Sequence, residues 1–216
     1  EKLLISNDIF GQNIASSERY VDQYNQSDLL HAIKEYYYNI VLPFSPLVLK
    51  TLDAVAAMNL DIEIIAPDHG LIYRRKEDCA FIVDTYRKLA EQKPQQRAVI
   101  VYDSMWGSTG KMAAAIMSGM VDEGVPCQLI DIQKNHHSDV MTALADCGAV
   151  LVGSPTHNNS ILPAIADVLT YMKGLRPLNR VGAAFGSYGW TGEAAKHIQE
   201  WLAGMNIELP AEPLKL

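Results

Sequence analysis

The stretch RAVIVYDSMWGSTGKM, Arg97–Met112, contains the signals that determine the fold of the chain around it. Its apolar run Ala98–Tyr102 predicts a buried strand that ends at Asp103, and a loop of small and hydroxyl residues then leads into a helical pattern. Free backbone N–H groups and hydroxyls at the positive end of a helix dipole favour binding of a phosphate. We therefore interpret the stretch as a strand–loop–helix junction that binds a phosphate.

The loop in this stretch differs from two common nucleotide-binding motifs. A nucleoside-triphosphate P-loop requires G-x4-G-K-[ST], whereas Gly107 and Gly110 lie too close together and Met112 stands where that motif has a metal-binding hydroxyl. The G-x-G-x-x-G motif of dinucleotide-binding folds is also absent from the sequence. The remaining prediction is a monophosphate held by neutral donors.

From Ala98 onward, short apolar runs alternate with helical patterns. The predicted strands are Ala98–Tyr102, Pro126–Asp131, Ala149–Gly153, Val181–Phe185 and Ile207–Leu209. The predicted helices are Lys111–Glu123, Asp139–Ala145, Ile161–Lys173 and Gly192–Gly204. Apolar strands separated by helices are typical of a parallel sheet covered on both faces. We therefore expect an α/β fold with a doubly wound, five-stranded parallel sheet.

Three loops of this predicted sheet are candidates for ligand binding, because ligands of open parallel sheets lie beyond the carboxyl ends of the strands. They are SMWGST (Ser104–Thr109), SPTHNNS (Ser154–Ser160) and GSYGWTGE (Gly186–Glu193). All three are rich in small and polar residues, and two contain tryptophan. We expect the first loop to hold a phosphate and the other two to flank a flat ring.

A separate segment precedes the proline-containing linker at Pro94. Its predicted strands are Leu3–Ser6 and Ile62–Ala66, and its predicted helices are Asp28–Tyr38, Pro46–Asn59 and Glu77–Glu91. Asp8 follows the first strand and His69 follows the second. Each is either a metal ligand or an ordinary turn residue bonded to the backbone, and the residues alone leave both open.

Composition argues against several classes of protein. The 216 residues are 49% hydrophobic and carry a formal net charge of -7, whereas proteins that bind nucleic acids or acidic membranes need Lys and Arg to neutralise phosphates. The apolar runs are too short to span a bilayer, and no export signal is visible. Three widely spaced cysteines, Cys79, Cys127 and Cys147, fit reduced thiols. We expect a cytoplasmic protein without nucleic-acid or membrane partners.

The three loops of the predicted sheet and the segment before the linker resemble a known family. From Ala98 onward it looks like a flavodoxin-like domain, and the earlier motifs SNDIFGQN and APDHG are similar to the last part of the metallo-β-lactamase-like module of flavodiiron proteins. Within that family it is most similar to the rubredoxin:oxygen oxidoreductases of sulfate-reducing bacteria. The resemblance implies an αββα di-iron domain over residues 1–93, truncated at its N-terminus, and an FMN-binding domain over residues 97–216 without its final helix. We therefore expect a piece of a longer chain.

The resemblance also implies the site residues. It makes Asp8 and His69 ligands of a di-iron centre. It assigns the FMN site to residues of the three loops: Ser104, Met105, Trp106, Gly107, Ser108, Thr109, Ser154, Pro155, Thr156, His157, Asn158, Asn159, Ser187, Tyr188, Gly189, Trp190 and Gly192. Trp106 departs from ordinary flavodoxins, which have a hydroxyl residue there.

For the intact protein, the resemblance implies electron transfer from rubredoxin through FMN to two irons, which reduce O2 to water or NO to N2O, in a head-to-tail homodimer. The family's H-x-E-x-D-H motif is missing from this sequence, so we expect the chain alone to lack that activity. The alternative is a non-redox flavodoxin-like binding or receiver module. A receiver needs an acidic cluster, whereas Asp103 stands alone and Ser154 follows the third strand.

Other residues keep two interpretations. His136 and His137 form either a solvated loop pair or part of a metal site, and the sequence offers no third ligand nearby. Tyr36 or Tyr37 lies either near the iron pocket or in a helix core. We expect His157 to lie near the edge of the flavin, or else to be a turn residue.

Overall fold

Two helix–strand units follow one another along the chain in the computed structural model, which describes residues 2–216. They are Glu1–Gln92 and Lys93–Leu216. Glu1, which the sequence analysis counts in the first segment, lies outside the described residues. Each unit has a parallel sheet of its own.

The first unit contains two paired strands and three helices. Strands β1 (Leu3–Asn7) and β2 (Ile64–Pro67) are parallel, with Leu3 opposite Ile64. The helices are α1 (Gln26–Tyr36), α2 (Ser45–Ala57) and α3 (Lys76–Glu91). A π-helical turn, Tyr37–Val41, and a 3-10 turn, Leu42–Phe44, join α1 to α2, and a second 3-10 turn covers Val21–Gln23.

Buried aromatic residues form much of the core of this unit. The rings of Tyr37 and Tyr86 meet edge to face with centroids 5.0 Å apart, and Phe10 meets Tyr86 in the same way at 4.9 Å. Burial raises the pKa of Tyr37 to about 12.

The helical run Gln26–Ala57 is apolar and long enough to cross a membrane by length and composition alone, a criterion that core helices of soluble proteins also meet.

The second unit contains the five-stranded parallel sheet that the sequence predicts. Its strands are β3 (Ala98–Tyr102), β4 (Cys127–Asp131), β5 (Ala149–Gly153), β6 (Val181–Gly186) and β7 (Leu214–Lys215), in the order β4-β3-β5-β6-β7. Its helices are α4 (Ser108–Asp122), α5 (His137–Leu144), α6 (Pro163–Leu175) and α7 (Glu193–Ala203). The strand order reverses between β3 and β5, which is where such sheets bind ligands.

The fifth strand is only partly where the sequence predicts it. Ile207–Leu209 makes only an isolated parallel bridge, between Glu208 and Val181, and pairing with β6 resumes at β7, where Leu214 lies opposite Phe185. Pro210 and Pro213 lie between the two contacts, and proline has no backbone N–H to give to a ladder. The edge strand is therefore divided in two.

Candidate functional site

The loop that follows β3 is held at its start by a buried carboxylate. Asp103 is 2% exposed, and its Oδ1 accepts hydrogen bonds from the backbone N–H of Ser104 (2.7 Å) and from Nε2 of Gln133 (2.9 Å). The hydroxyl of Ser104 in turn accepts the N–H of Gly107 at 3.0 Å. These contacts turn the loop sharply from the strand into α4.

The turn leaves a row of backbone donors without acceptors. Gly107 is the N-cap of α4 with φ 84°, a left-handed conformation that glycine adopts at least cost, and no side chain caps the helix. Within residues 2–216 nothing accepts the N–H groups of Met105, Trp106, Ser108, Thr109 and Gly110. Such converging N–H groups at the positive end of a fifteen-residue helix favour an anion.

The second loop, after β5, ends in a tight turn. Ser154 is fully buried; its hydroxyl donates to the carbonyl of Pro155 and accepts the N–H of Leu162, both at 2.9 Å, so its side chain supports the loop from inside. His157 and Ser160 exchange backbone hydrogen bonds of 2.9 and 3.0 Å. The turn between them has positive φ at Asn158 (49°) and Asn159 (57°), as in a type I′ turn, and it leaves His157 exposed.

The third loop, after β6, presents aromatic residues to solvent. Trp190 is 93% exposed and Tyr188 is half-exposed, while Trp106 in the first loop is 89% exposed. The backbone N–H of Tyr188 donates to the carbonyl of Leu216 at 2.9 Å, so the end of the chain holds this loop against the sheet. Such large exposed aromatic side chains at one sheet edge are candidates for stacking on a planar ring.

Hydrogen bonds join the three loops to one another. The hydroxyls of Thr109 and Ser187 lie 2.8 Å apart, which links the first loop to the third. The N–H of Thr156 donates to the carbonyl of Ser187 at 2.8 Å, and the hydroxyl of Thr156 accepts the N–H of Ala194 at 3.2 Å. The structure therefore brings the three predicted loops together.

These residues fit FMN. The free N–H groups of the first loop suit a phosphate, and exposed aromatic rings on two of the loops suit a flavin ring. A separate groove of about 260 Å³ touches the second loop only at Ser160 and otherwise lies along α6 and α7, where it is lined by Ile161, Lys173, His197, Glu200, Trp201 and Gly204. That groove is small for a cofactor site.

In the first unit, Asp8 and His69 come together. They follow β1 and β2, whose parallel pairing puts both at the same sheet edge, and His69 Nε2 lies 3.1 Å from Asp8 Oδ1. Their side chains are 51% (His69) and 71% (Asp8) exposed. The ring of Tyr36 lies beside the ring of His69, with centroids 5.9 Å apart. Tyr37 lies in the core instead, where its hydroxyl is hydrogen-bonded to the hydroxyl of Ser45 at 3.0 Å.

A buried amide holds the two loops that carry Asp8 and His69. Gln12 is fully buried; its Nε2 lies within hydrogen-bond distance of the carbonyls of Phe10 and Leu71 and of the Tyr73 hydroxyl, and its Oε1 accepts the N–H of Leu71 at 2.6 Å. Gly70, with φ 85°, packs directly on this amide, where a Cβ would come within 2.0 Å of Gln12 Oε1. Gln12 therefore joins the two loops.

The donors present do not make up a di-iron centre. Imidazole and carboxylate suit non-haem iron, but a stable centre needs a full set of ligands with supporting hydrogen bonds. Across residues 2–216 there is no group of three or more His, Cys, Asp or Glu side chains placed to hold a metal ion.

His136 and His137 lie at the start of α5, where His136 is exposed at the N-cap and His137 is half-buried. His136 caps α5 in a capping box with Asp139, and the ring of His137 lies between the rings of His136 (3.8 Å) and Tyr171 (4.0 Å). Nδ1 of His137 lies 2.5 Å from Oδ2 of Asp167. These contacts stabilise the packing of α5 against α6.

The three cysteines are free thiols, as predicted.

Sequence reasoning missed the residues that position the loops. Asp103, Gln133 and Gln12 act through contacts 30 to 61 residues away along the chain, which no local pattern reveals. One signal was available for Asp103, because a carboxylate at the end of an apolar strand is unusual unless it has partners. The two glutamines gave no such signal.

Comparison with known proteins covers the whole chain. Residues 100–213 match the family model described as flavodoxin. The chain is 51% identical to the rubredoxin-oxygen oxidoreductase of Megalodesulfovibrio gigas over 100% of its length and 54% of that protein. It is 46% identical to the nitric oxide reductase of Moorella thermoacetica over 99% of its length and 53% of that protein. It therefore spans about half the length of the curated relatives it matches.

Solved structures match the chain over the same extent as the relatives found by sequence. The rubredoxin oxygen:oxidoreductase from Desulfovibrio gigas, 51% identical, superimposes with a TM-score of 0.98 over 100% of this chain and 54% of that chain. The flavodiiron protein from Giardia intestinalis, 32% identical, superimposes with a TM-score of 0.93 over 99% of this chain and 53% of that chain. Both units of this chain therefore have counterparts in a single longer protein.

Proposed function

Because the chain belongs to the flavodiiron proteins along its whole length and to the flavodoxin family over residues 100–213, we propose that its second unit binds FMN and transfers electrons. FMN, when bound, supplies a group that accepts and releases electrons. The observation that carries the proposal is the meeting of unpaired loop N–H groups and exposed tryptophans at the switch point of the sheet.

The residues of the three loops have distinct proposed roles. The hydroxyl of Ser104 keeps the loop in shape by accepting the N–H of Gly107. The other N–H groups of the loop bind the phosphate: those of Met105, Trp106, Ser108, Thr109 and Gly110. Trp106 and Trp190 cover a planar ring and exclude water from it. The turn at Asn158 and Asn159 presents backbone groups and His157 to the edge of the ring.

For the intact protein, we propose reduction of O2 to water, or of NO to N2O, with rubredoxin as electron donor. Two relatives support the donor and the substrates by their names, rubredoxin-oxygen oxidoreductase and nitric oxide reductase. Asp8 and His69 are the donors that this chain would contribute to an iron centre. We also propose a head-to-tail homodimer and a cytoplasmic location.

A flavin titration tests the proposal for the second unit. FMN added to the purified chain is expected to bind one molecule per chain with quenching of flavin fluorescence, and riboflavin is expected to bind more weakly because it lacks the phosphate. Absence of FMN binding by a chain whose circular dichroism shows it folded would overturn the proposal.

A receiver module is disfavoured because Asp103 is buried and hydrogen-bonded, which leaves it inaccessible to a phosphodonor.

A further inference from the structure

Ser187 contacts both of the other ligand loops. Its hydroxyl lies 2.8 Å from the hydroxyl of Thr109, at the start of α4, and its carbonyl accepts the N–H of Thr156 at 2.8 Å. Thr109 is fully buried and Ser187 is half-buried. Ser187 is therefore a point of contact between the predicted phosphate loop and the two predicted ring loops.

The pair of hydroxyls has one proton to spare. Each hydroxyl carries one proton and accepts through two lone pairs, and their mutual hydrogen bond uses one proton of the two. Among the described residues, neither hydroxyl has another partner. Because Thr109 is fully buried, only the half-buried Ser187 can turn its proton toward a bound group, and the direction of that proton depends on both hydroxyls together.

We propose that Ser187 is a positioning residue that couples the phosphate loop to the ring loops through the hydroxyl of Thr109. The coupling makes the phosphate and the ring of FMN bind as a single unit, because a displacement of one loop breaks the contact that orients the other. The inference rests on the proposed function, since it concerns the same FMN site. Its specific claim is that the two hydroxyls affect FMN binding only as a pair, through the position of the phosphate loop.

A double-mutant cycle tests this claim. The affinities of FMN and riboflavin are measured for the wild type, Ser187→Ala, Thr109→Val and the double variant. Each single change is expected to weaken FMN binding about fivefold, the usual effect of one hydrogen bond, with a smaller change for riboflavin. The double variant is expected to bind FMN no more weakly than the weaker single variant. Losses that multiply in the double variant would overturn the inference.

Three further variants keep the test decisive. Thr109→Ser keeps the hydroxyl and is expected to restore the preference for FMN over riboflavin, which a role in folding alone would not predict. Ser118→Ala and Thr170→Val remove hydroxyls from exposed faces of α4 and α6 and are expected to leave both affinities unchanged. If the folded wild type does not bind FMN, the proposed function fails and the inference fails with it. If the wild type binds FMN but the two residues act independently, only the inference fails.

Discussion

Trp190 is 93% exposed at the carboxyl edge of the sheet, an unusual position for a side chain that normally buries a large apolar area. If this ring covers bound FMN, Trp190→Ala is expected to weaken FMN binding about fivefold or more, since an aromatic contact contributes about 1 kcal/mol. Trp190→Phe keeps an aromatic face and is expected to restore most of the affinity. Fluorescence titration measures both, and an unchanged affinity in Trp190→Ala would contradict the placement of this loop.

Gln12 makes a different kind of contribution, because its fully buried amide satisfies backbone groups on two loops. Gln12→Ala leaves the N–H of Leu71 and two carbonyls without their partner, and we expect it to lower the free energy of unfolding by at least about 2 kcal/mol. Urea unfolding followed by the near-UV circular dichroism of the buried tyrosines measures the change.

Gln23→Ala is the matched control for this substitution. Gln23 lies on the surface of the same unit, and we expect its replacement to change the unfolding free energy by less than about 0.5 kcal/mol. Equal effects of the two substitutions would show that the buried amide does not join the Asp8 and His69 loops in the way its hydrogen bonds indicate.

Among the elements, the start of α4 shows how backbone conformation forms the candidate site. Gly107 has φ 84° and open space around it, so Gly107→Ala is expected to cost about 1 kcal/mol through backbone strain and to weaken FMN binding. Gly119 lies inside the same helix, also in open space, so Gly119→Ala is expected to stabilise the protein by about 0.5–1 kcal/mol. Urea unfolding of the two variants gives the comparison. Changes of the same sign would contradict it.

Elements with clear patterns could be predicted from the sequence. The strands Ala98–Tyr102 and Ala149–Gly153 have the predicted bounds, because each is an uninterrupted apolar run with a polar or glycine boundary. Helix α4 begins at Ser108, three residues before its predicted start, because a left-handed glycine cap lets hydroxyl residues enter the first turn. The divided edge strand could not be predicted, because its pairing depends on where two prolines allow the chain to return to β6.

The candidate site could be predicted in part, because some of its features depend on local sequence and others on tertiary contacts. The positions of its loops follow from the ends of the strands, whereas the contact between Thr109 and Ser187 joins residues 78 positions apart and depends on the finished sheet. Similarly, Asp8 and His69 could be assigned to strand ends, but the strand pairing that brings them within 3.1 Å is tertiary.

At the scale of the whole molecule, the two units use one topological rule with different results. In each, side chains meet at the carboxyl edge of parallel strands. The second unit assembles donors, aromatic rings and cross-linking hydrogen bonds into a site that fits its cofactor. The first unit assembles one imidazole and one carboxylate, both half-exposed or more and paired with each other.

This difference predicts the metal content of the chain. A metal ion bound only by Asp8 and His69 would keep most of its water ligands and would exchange rapidly, because affinity comes from the full ligand set and the groups that orient it. After anaerobic incubation with ferrous iron and gel filtration, we expect elemental analysis to find far fewer than two irons per chain, while FMN stays bound. Asp8→Asn and His69→Ala are expected to change neither result. Two irons retained per chain, and lost in those variants, would show that the chain by itself forms an iron centre.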